Sequence, residues 1–190
     1  MPRIHLPSRD ELDDAQRAVY DQIVSGPRGR IQGPLRAALY NAELADKWQA
    51  LGSLLRYRTS FEPRLSEIAI LVTARYNQSP FEWYAHRLEA EKAGLQAPVI
   101  ESILHEQSPK GLSEQESIVH DYAVQLCQHR SVSDVLYARA LETFGERAVV
   151  ELTALVGYYT MVAMTLNCHE IPLPDGIEPA FPLPQHRGID

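Results

Sequence analysis

From Ser8 to Cys168 apolar residues recur at three- and four-residue spacing, in runs separated by residues that start or stop helices. No run of useful length alternates with the two-residue rhythm of a half-buried strand, so the pattern confines the chain to an all-α fold. Ser8 and Glu11 have the spacing of a capping box. They open a first helix with Leu12, Ala15, Val19 and Ile23 on one face, ending near Gly26. Pro34 suits the first turn of a short helix through Tyr40. Asn41 caps a helix with Leu44, Trp48, Leu51 and Leu55 on one stripe, and Pro63 opens another holding Leu65, Ile68, Ala69, Val72 and Tyr76. Pro80 opens the next, which ends at Gly94, and a short helix is expected over 97–105. Ser113 with Glu116 is a second capping box, for a helix to about 130, and Ser133 caps one ending at Gly145. The stretch 146–168 is apolar almost all round, the pattern of a helix buried on most sides, in the core or between copies.

The 190 residues suffice for one domain with its own core, expected over 1–178, followed by an extended or disordered proline-rich tail over 179–190. A net charge of −7 argues against nucleic acid or anionic membrane as a partner, because phosphate attracts positive charge. No uninterrupted apolar run reaches the ~18 residues of a membrane span, and MPRIHLPSRDEL lacks the apolar centre of a signal peptide. The expected location is cytoplasmic. Cys127 and Cys168 form no CxxC and are expected to be buried thiols.

The segment QSPFEWYAH, 78–86, places Glu82 and His86 one helical turn apart among Phe81, Trp83 and Tyr84. On a helix such residues are neighbours and can share a hydrogen bond or point at one substrate. A carboxylate beside imidazole favours the protonated ring and brings histidine into the range of acid–base work. The same spacing also occurs on solvated faces, where the pair does little; the aromatics around it favour a desolvated pair. If the helices opened by Pro63 and Pro80 form an antiparallel hairpin, Glu67 lies too many turns from the hinge to approach Ser79. It reaches the other end of the second helix, near His86 or beyond, which permits a Glu67–His86 contact.

Two arginines, Arg28 and Arg30, stand among the glycines of SGPRGRIQGP, where backbone can approach a ligand and two guanidinium groups could clamp a carboxylate. Arg56, Arg58, Arg64 and Arg75 are weaker candidates of the same kind. Glu82 and His86 could give two metal ligands, with Glu67, His120 or His169 as a third, but no HExxH pattern is present and no metal is expected. SEIAILVTARY (66–76) also echoes VELTALVGYYT (150–160), with Glu67 matching Glu151.

The spacing of Glu67, Ser79, Glu82 and His86 resembles the Glu-x11-Cys-x2-Cys-x3-His pattern of the AhpD-like superfamily, with Ser79 and Glu82 where its two cysteines stand. PRLSEIAILVTAR followed by E-W-x-x-H resembles the carboxymuconolactone decarboxylase branch, as do SGPRG, LADKWQALGSLLRYR and EIPLPDG. The likeness spans about residues 10–178 and is strongest at 63–94. It implies an AhpD-like helical bundle that assembles into a homotrimer or homohexamer, with a site near Glu82 and His86. Without the cysteine pair, disulfide-based peroxide reduction has no redox carrier, since serine forms neither sulfenic acid nor disulfide. The expected function is a cofactor-independent lyase acting on a small carboxylated lactone or related acid. His86, Glu82 and Glu67 are its catalytic candidates, and Arg28, Arg30, Trp83 and Ser79 its substrate-binding ones. The alternatives are a helical oligomer that binds a small acid or partner without turnover and, last, a thiol-dependent peroxidase.

Overall fold

The computed structural model describes residues 2–26 and 29–182. Among them are a 3-10 turn, Arg9–Glu11, and eight α-helices: α1 Asp14–Ser25, α2 Pro34–Ala38, α3 Ala42–Tyr57, α4 Pro63–Tyr76, α5 Pro80–Lys92, α6 Ala97–Leu104, α7 Glu114–His129 and α8 Asp134–Cys168. There is no strand among the described residues.

Most boundaries follow from local chemistry visible in the sequence. The Asn41 side chain accepts from the Leu44 N–H and Ser113 from that of Glu116, so both cap as expected. Prolines occupy the first turns of α2, α4 and α5, where the missing N–H costs nothing. Gly145, at φ 79° and ψ 167°, breaks α8 at the expected place. The first helix differs from expectation. Ser8 and Glu11 do form a capping box, but on the 3-10 turn, and Leu12 is extended. A second box, Asp13 with Gln16, starts α1. Two overlapping start signals split the segment.

Helix α4 is the axis of the molecule. Nine consecutive residues, Ser66–Ala74, are buried, and α5, α6, α7 and α8 all pack against it. A helix covered on every side reads as continuously apolar, which is why Glu67 stands out in it. The α4–α5 hairpin turns through Asn77 and Gln78, the latter at φ 50°, and Ser79 N–H donates to Ala74 O. Asn167 of α8 donates to Asn77 O and ties the hinge to the last helix.

Two of three further expectations change. The chain after α8 is extended as expected and lies over the helical body, with Phe181 buried against Trp83 and Arg75 over its ring. Residues 183–190 lie outside the described part. Cys127 is only half-buried and Cys168 is exposed. Helix α8 is long and apolar enough to cross a membrane by length and composition, although half of its most apolar stretch is buried inside the protein.

Candidate active site

The α4–α5 hairpin brings Glu67 and His86 together across 19 residues, a contact that its geometry permits. His86 Nδ1 lies 2.7 Å from Glu67 Oε2, and His86 Nε2 lies 3.1 Å from Glu82 Oε1. All three side chains are buried. The imidazole is thus held at both nitrogens by carboxylates, one from α4 and one from its own helix a turn earlier. Burial opposes a charged ring, but the two carboxylates outweigh it and raise the His86 pKa from 6.5 to about 9. At neutral pH the ring is an imidazolium that donates from Nδ1 to Glu67 and has Glu82 within ion-pair distance of Nε2.

Tyr159 of α8 stands edge-on to the His86 ring with centroids 4.8 Å apart, and Tyr158 packs edge-on to Tyr159 at 5.2 Å. Burial, and secondarily the charges of Glu82 and Glu67, push the Tyr159 phenol well above its ordinary pKa despite the opposing charge of Arg56. It is a neutral hydrogen-bond donor at any working pH. Sequence reasoning missed it; the one available signal was the YY pair inside an otherwise aliphatic helix.

Glu82 and His86 open onto an inner chamber of about 80 Å³, walled also by Phe81, Ala85, Tyr158, Tyr159 and Val162. An outer chamber of about 350 Å³ adjoins it and includes Arg30, Tyr57 and Glu89. Gln32, Leu35, Arg56, Ala85 and His86 line both. The loop before α2 comes close to α5 because residue 33 is glycine. It sits at φ 58°, and a Cβ there would meet the Phe81 ring at 3.0 Å. This approach puts Gln32 beside the chambers.

The remaining candidates are separated by packing. Residues 79, 82, 83 and 86 follow one another by three- and four-residue steps on the buried side of α5, so helix periodicity alone keeps them together. Trp83 is nevertheless not a wall of either chamber. It is buried edge-on to Phe181 at 6.0 Å, and its indole N–H has no partner. Ser79 is fully buried at the start of α5, its hydroxyl unpartnered, and it too is absent from both walls. Arg28 lies outside the described residues. Arg30 is exposed at the outer chamber only. Arg64 is occupied by Glu116, and Arg75 by Glu106 and the Leu104 carbonyl. His120 bonds Asp121, and His169 ends α8. No group of three metal-ligating side chains is poised for a metal among the described residues.

No family model matches the chain, and no curated protein does. Solved structures do. One is described as an alkylhydroperoxidase AhpD core, an uncharacterized peroxidase-related protein from Ralstonia eutropha JMP134. It superposes with TM-score 0.77 at 14% identity, over 92% of this chain and 93% of that one. An uncharacterized peroxidase-related protein from Silicibacter sp. TM1040 gives TM-score 0.73 at 15% identity, over 90% and 91%. The chain has the AhpD-like all-helical fold.

Proposed function

We propose that the protein is a cofactor-independent lyase of carboxymuconolactone decarboxylase type, acting on a small carboxylated lactone or related acid. The observation that supports it most is the buried Glu67–His86–Glu82 row at the wall of a small chamber. In the reaction the bond to the departing carboxylate breaks and CO2 leaves. The electron pair passes into a dienolate, and a proton then adds to carbon.

The sequence assigned the proton to His86, with Glu82 orienting it. The hydrogen bonds favour a different division of labour. Both ring nitrogens are engaged, so the imidazolium holds the proton while Glu82, at the chamber wall, passes it on. Nε2 gives its proton to Glu82, the carboxylic acid protonates carbon, and solvent reprotonates the ring. Glu67 keeps Nδ1 bonded throughout and stabilises the charged ring. The Tyr159 phenol is available to the developing enolate oxygen.

The peroxidase description of the two similar structures is less suited to this chain. Neither cysteine stands in the α4–α5 site, and burial pushes the Cys127 thiol up, away from the reactive thiolate. The reading that competes is a homo-oligomer, trimeric or hexameric, that binds a small acid without turnover. It is favoured by the naked apolar side of α8, where Val150 and Met164 are 67% and 60% exposed.

The test is incubation with 4-carboxymuconolactone, following substrate loss and CO2 release with and without chelator. Chelator-insensitive turnover lost in Glu82→Gln and His86→Ala supports the lyase. Turnover unchanged in both variants sinks the assigned roles, and no turnover favours the binding reading.

A further inference from the structure

Among the described residues Arg56 is the one arginine that lines both chambers. It is half-buried, and its guanidinium carbon lies 5.2 Å from the centroid of the Tyr57 ring. Among the described residues it has no carboxylate within ion-pair distance and no hydrogen-bond acceptor. This is unusual for an arginine so placed. Arg64 and Arg75 have acidic partners, and Arg36 is spent on the carbonyls of Leu6 and Pro7. A guanidinium against an aromatic face keeps its edge donors free for a planar bidentate partner.

The charges around it say what that partner is. With the ring protonated, Glu67, His86 and Glu82 together carry one net negative charge. Burial acts against the charge on Arg56, but Tyr159, Tyr57, Glu67 and Glu82 more than offset it, and its pKa lies above the ordinary value. The other walls of the inner chamber are apolar, amide or phenol, apart from His86 and Glu82, which belong to that net-negative row. In the outer chamber Glu89 is already paired with Lys92, and Arg30 is exposed and screened by water. An anion entering the site therefore has one strong place to rest.

We infer that Arg56 is the carboxylate anchor of this site. It fixes the acid group of a small organic anion where the two chambers meet, with the ligand's next atoms beside Glu82 and His86. The inference deepens the lyase reading by naming the residue that would hold the retained carboxylate, and it replaces the glycine-loop arginines in that role. It also predicts the ligand class independently of turnover: a carboxylate is preferred over its neutral amide.

The experiment uses 2-furoate and 2-furamide, matched in shape and different in charge, titrated by calorimetry at pH 7 into the wild type, Arg56→Gln, Arg56→Lys and Glu82→Gln. The expected result is that furoate binds the wild type at least about tenfold more tightly than furamide. Arg56→Gln abolishes the preference, Arg56→Lys keeps part of it, and Glu82→Gln, which removes an anion-repelling charge from the wall, strengthens it. Circular dichroism and thermal melts establish that each variant is folded, and the lysine variant decides the matter if the glutamine variant is not. Equal affinity for acid and amide, a preference that survives in Arg56→Gln, or no furoate binding overturns the inference. Arg56-dependent furoate binding without turnover of 4-carboxymuconolactone removes the lyase and leaves the anchor. Turnover with an unchanged KM in Arg56→Gln removes the anchor and leaves the lyase.

Discussion

Glu67 and Glu151 occupy matching places in two similar segments, SEIAILVTARY of α4 and VELTALVGYYT of α8. Their surroundings differ. In α4 every residue from Ser66 to Ala74 is buried, and Glu67 holds the Nδ1 of His86. In α8 Val150, Thr153, Ala154 and Gly157 are exposed, and Glu151 accepts from the Ser60 N–H and pairs with Arg147 on its own helix. Even the hydrophobic order is inverted: Ser66 is 4% exposed and its counterpart Val150 67%. Similar strings thus make one glutamate part of a buried ionic row and the other a peripheral tether. What differs is the element packed alongside: α5 brings a histidine to Glu67, whereas the loop before α4 brings a backbone amide to Glu151.

The comparison can be broken most directly by neutralising each glutamate. Glu67→Gln is expected to lower kcat/KM on an accepted substrate by about 10² to 10⁴, because the ring loses a carboxylate that keeps it charged. An NMR titration of His86 should show its pKa falling from about 9 towards 6.5. Glu151→Gln should leave activity within about twofold and the His86 titration unmoved. Equal losses from the two changes would mean that Glu67 is only a structural tether.

The next effect is on stability against pH. His86 has a folded pKa of about 9, above its unfolded value of 6.5. Its contribution is therefore fully present below pH 6.5 and is lost as pH rises through about 9, on the order of a few kcal/mol. Urea unfolding at pH 6 and pH 9.5 should show this fall. In His86→Gln, where two buried carboxylates lose their cation, the protein should be less stable at pH 6 and the dependence flatter.

Smaller still is the tether in α8. Glu151→Ala should cost about 1 kcal/mol, since the Ser60 amide loses its acceptor near the surface, and Arg147→Ala at most about 0.5 kcal/mol, as for an exposed pair. Chemical denaturation midpoints distinguish them. The smallest change is expected from Cys127→Ser with Cys168→Ser. Peroxide consumption, followed with a dithiol reductant, should be the same as in the wild type, and a loss would revive the thiol reading.

The one-turn spacing of Glu82 and His86 was legible because both lie on one helix, where periodicity alone sets neighbours. Glu67 could be brought to His86 by counting turns back from the hinge, since the Pro63 and Pro80 starts give the register of both helices. The same counting leaves Trp83 and Ser79 beside the pair, since each is three residues from His86 or Glu82, and it is packing that keeps them off the chamber walls. Tyr159 and Arg56 had no such handle. One comes from α8, 73 positions after His86, and the other from α3, 30 positions before it. No local period connects them.

The sequence by itself determined the helices, their caps and breaks, and the placement of a carboxylate–imidazole pair on α5, because these depend on interactions within a few residues. Tertiary structure decided which glutamate became part of a buried ionic row, which described arginine came to line both chambers, and how far the ring proton is held. Those outcomes depend on burial and on charges brought together from α3, α4, α5 and α8, and a charge acquires its strength only when the packing around it excludes water.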